Sequence, residues 1–158
     1  MKNLILIRHA KAEHFAPNSQ GDFYRILSEK GIIEAKTMAH KLVGKVPKPD
    51  VVLCSSATRT LQTAEIFREN FFNDLKIQQE KMIYISSAEE IIDFIKLSGD
   101  TSETVWLFGH NPTISEIAFS LSPGFNEDMA TCSVVWIKFD ELSSTSFQLF
   151  SLVNSEVG

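Results

Sequence analysis

Along this chain, short apolar runs alternate with longer stretches in which apolar residues recur every three or four positions. The run over 4–7 has the length and β-branched content of a buried strand. A polar connection over 11–26 follows, with Pro17, Asn18 and Gly21, and loops of that length are usually functional or disordered. Its 22–27 portion is too polar and irregular for a core element. Ser28 has the character of an N-cap, Glu29 suits the first turn, and Ile32, Ala35, Ala39 and Leu42 give the helix one buried face. His40 and Lys41 fall off that face. Gly44, Pro47 and Pro49 stop the helix. A second buried strand is predicted over 50–54, and Ser55 or Ser56 would cap a helix striped by Leu61, Ala64, Phe67 and Phe71. Arg59 then falls near that helix's first turn. The segment 76–85 reads as a third extended stretch, and Ser87 as the cap of a helix over 88–97 with Ile91, Ile92 and Ile95 inward. Residues 104–108 form another buried run. Asn111 as N-cap and Pro112 as first helical residue open a helix that buries Ile114, Ile117, Ala118 and Leu121. After a loop over 123–129, the runs 132–139 and 147–153, joined by 140–146, read as late strands or a terminal hairpin.

Strand–helix alternation of this kind predicts an α/β fold: a single three-layer domain over 1–158, its central sheet mostly parallel, with helices on both faces and late strands at the C-terminus. The length of 158 residues suits one domain with a real core. A net charge of -5 argues against a nucleic-acid surface, and no apolar run approaches membrane-spanning length. Cys54 and Cys132 lie in apolar runs without metal-like spacing, so both are expected to be core thiols, and a reducing cytoplasm fits best.

Parallel strands put their C-terminal ends on one edge, where open α/β sheets place their ligands. Each of the strands over 4–7, 51–54 and 105–108 is followed by a polar motif: Arg8-His9, then Ser55 to Arg59, then Gly109-His110-Asn111. Taken singly, each could be a capped helix start or the beginning of a surface loop. Together they bring two guanidinium forks and two imidazoles beside two helix N-termini, which is a site for a tetrahedral dianion. No cluster of Asp and Glu accompanies them, so neither a divalent metal nor another cofactor is called for.

Arg8-His9-Ala10, the segment Ser55-Ser56-Ala57-Thr58-Arg59-Thr60-Leu61-Gln62-Thr63-Ala64 and Gly109-His110-Asn111-Pro112 resemble the histidine phosphatase superfamily, also called phosphoglycerate-mutase-like, and within it the small SixA-type phosphohistidine phosphatases. The resemblance runs from Met1 to about Leu121 and continues faintly at Ala130-Thr131-Cys132. It implies that His9 takes the phosphoryl group covalently, that Arg8 and Arg59 clamp its oxygens, and that His110 donates to them. It adds Arg25, in an Asp-x-x-Arg-x-Leu element, and Thr131 as further candidates for the phosphate pocket.

Two departures stand out. Most of the superfamily has Gly where this chain has Ala10, a change shared with the small branch. Larger relatives carry an acidic proton donor in an insertion after the second helix, whereas 73–87 is short here and Glu80 lies in a predicted strand. The resemblance therefore implies a compact, open, metal-independent phosphatase acting on phosphohistidine of a protein. The competing expectations are a phosphatase for small phosphoesters, with Asp22, Glu80 or His110 supplying a proton, and a phosphate-binding module without turnover.

Overall fold

A computed structural model describes residues 1–140 and 145–152. The strands β1 (Asn3–Arg8), β2 (Val51–Ser55), β3 (Ile77–Glu80), β4 (Thr104–Gly109), β5 (Val134–Phe139) and β6 (Thr145–Phe150) join in one sheet, in the order β3-β2-β4-β1-β5-β6. The first four are parallel; β5 runs antiparallel to β1, and β6 antiparallel to β5. The helices are α1 (Glu29–Leu42), α2 (Thr58–Phe71), the single turn α3 (Met82–Ile85), α4 (Ala88–Gly99) and α5 (Thr113–Leu121). This is the expected α/β architecture with late C-terminal strands. No described helix is long and apolar enough to cross a membrane.

The central strands β1, β2 and β4 are largely apolar because both of their faces are covered, whereas the edge strands β3 and β6 are more polar. Ile5 and Ile7 join Val52, Cys54, Trp106 and Phe108 in a core completed by Ala35 and Met38 of α1 and Ala64 and Phe67 of α2. Leu4 and Leu6 point the other way, with Leu53, Val105 and Leu107, onto Ile91 and Ile95 of α4 and Ile114 and Ile117 of α5. Burying each large aliphatic or aromatic side chain contributes about 1.5–3 kcal/mol. Trp106 anchors the first core, with the Phe71 ring centroid 4.8 Å away and its Nε1 donating to the Pro47 carbonyl at 3.0 Å. Cys54 and Cys132 are buried free thiols, and burial pushes both pKa values up.

Several local expectations meet competing forces. Ser28 and Ser87 do cap, accepting from Gly31 N–H and Glu90 N–H. Ile32, however, is exposed, and Gly31 takes the buried position because α1 docks directly on the Lys11 carbonyl. Neither Ser55 nor Ser56 caps α2. The helix starts after Ala57, and the Ser55 hydroxyl accepts from Ala57 N–H at 3.2 Å from within β2. Asn111 is not the cap of α5 either, and Pro112 precedes the helix rather than opening it. The Asn111 amide instead donates to the Met129 carbonyl at 2.8 Å and accepts from Ser115 at 2.6 Å, tying the loop after α5 to the sheet edge. The stretch 76–85 is half strand: β3 stops at Glu80, and α3 folds back to bury Ile83. β5 begins at Val134, not at 132, because Cys132 adopts φ +60° and gives its N–H to the carbonyls of Arg8 and His9. The last strand spans Thr145–Phe150; position 153 and residues 141–144 of the connection lie outside the described residues.

Candidate active site

β1 and β4 are neighbours in register, with Arg8 opposite Gly109, so His9 and His110 leave adjacent strands at the same level. The His9 N–H donates to the Gly109 carbonyl at 3.1 Å, and the two imidazole centroids stand 5.3 Å apart. Arg59 enters from the first turn of α2, which follows β2 on the same sheet edge. Arg8, His9, Arg59 and His110 are thus brought to one place. The reason is topological: three parallel strands end there, and each hands its chain to a polar motif.

The tautomers follow from the hydrogen-bond partners. His9 Nδ1 lies 2.7 Å from the Ala10 carbonyl, which can only accept, so Nδ1 carries the proton and Nε2 keeps its lone pair. Arg59 Nε, 3.4 Å away, donates toward that lone pair. At His110 the roles reverse. Arg59 Nη2 can only donate and sits 3.5 Å from Nδ1, so the proton of the neutral ring is on Nε2, which donates to Ser55 Oγ at 2.7 Å; Thr60 Oγ1 is 3.2 Å away. Burial is the main reason both imidazoles stay neutral, and the surrounding arginines add to it. His9 is pulled down to about 4, and His110, which also faces His9, to about 3. A neutral, desolvated Nε2 between guanidinium groups is a competent nucleophile toward phosphorus.

Arg59 uses its guanidinium on two edges. The Nε–Nη2 edge faces His9 Nε2 and His110 Nδ1. The Nη1–Nη2 edge is held by Asp22, whose main-chain carbonyl accepts from Nη1 at 2.8 Å and whose Oδ2 accepts from Nη2 at 3.0 Å. Arg59 is 6% exposed, against 50% for the Asp22 side chain, so Asp22 lies on the solvent side. Arg8 donates through Nη1 to the Met129 carbonyl at 2.9 Å, while its buried Nε has no hydrogen-bond partner among the described residues. Desolvation lowers the Arg8 pKa, countered by the charges of Asp128 and Glu34.

Arg25 lies beside this cluster, not within it. Its Nε donates to the Glu13 carbonyl at 2.7 Å and its Nη1 to Asp22 Oδ1 at 2.8 Å. That bond comes first among the causes that hold the Asp22 carboxyl far below the usual carboxylate range, with Tyr84 and Arg59 reinforcing it. Thr131 gives its hydroxyl to Glu34 at 3.3 Å instead of turning it to the histidine pair. Sequence reasoning did not assign Ser55, Thr60 or Tyr84 to the site. Ser55 and Thr60 lie within the motif around Arg59, which is the signal that could have found them. Tyr84 stands in α3, its ring 5.4 Å from that of His110 and its hydroxyl donating to Asp22 Oδ2 at 2.7 Å. Nothing in the pattern of 76–85 marks it.

A parallel-sheet edge carrying two imidazoles and two arginines defines a phosphoryl-handling α/β enzyme. The chain belongs to the histidine phosphatase superfamily (branch 1), whose family model matches residues 4–83, and it is a phosphatase of that superfamily with a SixA-like fold. It is 32% identical over 133 residues to the uncharacterized protein Rv1276c of Mycobacterium tuberculosis, covering 84% of this chain and 80% of that one. Its fold is similar to that of a SixA structure from Agrobacterium tumefaciens, with TM-score 0.82, 24% identity, and 95% and 98% of the two chains covered. It is also similar to the protein histidine phosphatase SixA complexed with tungstate, with TM-score 0.83, 22% identity, and 97% and 99% covered.

Proposed function

We propose that this phosphatase hydrolyses phosphohistidine on proteins through a covalent intermediate on His9. His9 Nε2 attacks phosphorus as the bond to the leaving imidazole breaks, giving phospho-His9. Water then attacks phosphorus, inorganic phosphate leaves, and the Nε2 lone pair is restored. The Nε–Nη2 edge of Arg59 and the unpartnered Nε of Arg8 are donors suited to phosphoryl oxygens. Bound negative charge favours the imidazolium form of His110 that burial and the arginines disfavour, and in that form Nδ1 donates as well. Chemistry of this kind asks mainly for positioning and charge stabilisation. The tungstate bound by the SixA structure is an oxyanion, which fits such a set of donors.

One observation carries the choice of substrate. The carboxyl group hydrogen-bonded into the cluster, Asp22, accepts from Arg25, Arg59 and Tyr84, donors that favour its ionised form and disfavour it as a proton donor. Protonating a poor leaving group contributes ~10²–10⁴-fold in rate, and an alkoxide needs it most. Imidazole leaves far more readily. The expected order is therefore phosphohistidine, then aryl phosphates, then alkyl phosphates, and log(kcat/KM) should fall steeply with leaving-group pKa. A flat plot with efficient sugar-phosphate hydrolysis would instead establish a small-phosphoester phosphatase.

A further inference from the structure

The loop carrying Asp22 does more than hold Arg59. Oδ2 already accepts from Arg59 Nη2 and Tyr84 Oη, whereas Oδ1 accepts only from Arg25 Nη1 among the described residues. A carboxylate oxygen has two lone-pair sites, so Oδ1 keeps acceptor capacity beside its bond from Arg25, on a side chain that is 50% exposed. Aromatic rings packed edge-to-face adjoin the Asp22 carboxylate. The Phe23 ring lies 5.1 Å from that of Tyr84 at 74°, and Tyr84 meets His110 edge-on at 5.4 Å. The charged side chains nearest Asp22, Arg25 and Arg59, can only donate, and Lys81 Nζ stands 5.8 Å from the Phe23 ring centroid.

We infer that Asp22 is the leaving-group residue of this site: it accepts the ring N–H of the departing imidazole while the packed Tyr84–Phe23 pair borders the ring on one side, which selects nitrogen-linked phosphoryl groups. The inference rests on the phosphohistidine reading and adds the residue responsible for it. The chemistry balances simply. The P–N bond breaks as His9 Nε2 bonds to phosphorus, and the proton already on the far nitrogen of the substrate imidazolium lets the ring leave neutral. Asp22 holds that proton without taking it. An alkoxide leaving group offers no such donor and meets an acceptor where it needs an acid.

Changing the Asp22 side chain also takes the carboxylate from Arg59 Nη2, leaving the main-chain carbonyl on Nη1, so every substrate should slow; the ratio between substrates isolates the leaving-group contact. Phosphoimidazole, a phosphohistidine peptide and p-nitrophenyl phosphate are compared on the wild type, Asp22→Asn and Asp22→Glu, with circular dichroism melts confirming the fold. For Asp22→Asn, kcat/KM should fall about ten-fold further on the two nitrogen-linked substrates than on p-nitrophenyl phosphate, roughly the effect of losing one charge at a half-exposed site. Asp22→Glu, which keeps the charge, should restore the ratio even if its overall rate is low. Equal losses on all three substrates would overturn the inference, reduce Asp22 to a positioning residue for Arg59, and leave the phosphohistidine reading intact. A wild type that cleaves p-nitrophenyl phosphate but neither nitrogen-linked substrate would remove both.

Discussion

At His9, one backbone hydrogen bond decides what the side chain can do. The Ala10 carbonyl fixes the proton on Nδ1, and burial keeps the ring neutral. Titration followed by NMR of the ring protons should therefore give a His9 midpoint near 4, far below an ordinary imidazole; a midpoint at 6.5 or above would mean that the nucleophile is not desolvated as described. Arg59 makes the second residue-scale case. With its Nε–Nη2 edge facing both imidazoles, Arg59→Ala should lower kcat by ~10²–10³-fold, the usual effect of removing one preorganised donor. Arg59→Lys should recover little of it, because a point charge cannot reproduce a fork held on two edges. Arg8, His9, Arg59 and His110 were legible because each directly follows or closely trails an apolar run. Asp22 was legible only as a possible proton donor and Tyr84 not at all, since their places depend on how the 11–27 connection and the turn after β3 fold back over the sheet edge.

The elements hold these side chains through a few close approaches. A Cβ at Gly31 would collide with the Lys11 carbonyl, which also accepts from Ser28 N–H at 3.0 Å and lies two residues from His9. In an exposed helix, Gly→Ala stabilises by about 1 kcal/mol. Gly31→Ala should instead destabilise, by about 1–3 kcal/mol as in other overpacked sites, when measured by urea unfolding; a gain in stability would show that α1 is free to shift. Helix starts show the limits of local pattern. Ser28 and Ser87 were readable caps because their hydroxyl oxygens accept from the helix N–H groups, and at Ser28 the hydroxyl proton goes to the Lys11 carbonyl without displacing that bond. Asn111 has cap chemistry but accepts from Ser115, four residues on, and donates to the Met129 carbonyl, 18 residues away and outside any local window. The single turn α3 was hidden for the same reason, as Ile83 is drawn into the core packed on α4 and α5.

Over the whole molecule, the alternation of apolar runs with helical stripes was enough for the α/β class, because strands buried on both faces leave no polar positions to blur the signal. The sheet order was less legible: β1 beside β4 is a long-range pairing, seen only once strands are placed side by side. Burying two neutral histidines also leaves a global signature. The unfolded chain binds protons on them as pH falls through about 6.5, the native protein only near 4 and 3. In that window the unfolded state holds more protons, so stability should drop as pH is lowered from about 6.5 toward 4. Asp22 acts lower down: because its pKa is depressed, its stabilisation is withdrawn as pH falls through the ordinary carboxylate range and below it. A His9→Asn, His110→Asn double variant should show a shallower decline in Tm across that window; an unchanged slope would place the acid sensitivity elsewhere.

The central claim is that His9 carries the phosphoryl group, and trapping it is the most direct test. Brief incubation with radiolabelled phosphoimidazole or acetyl phosphate, followed by alkaline quench and peptide mapping, should put an acid-labile, base-stable phosphate on the peptide containing His9. The label should vanish in His9→Ala. Labelling that survives in His9→Ala, or maps to another residue, would contradict the account.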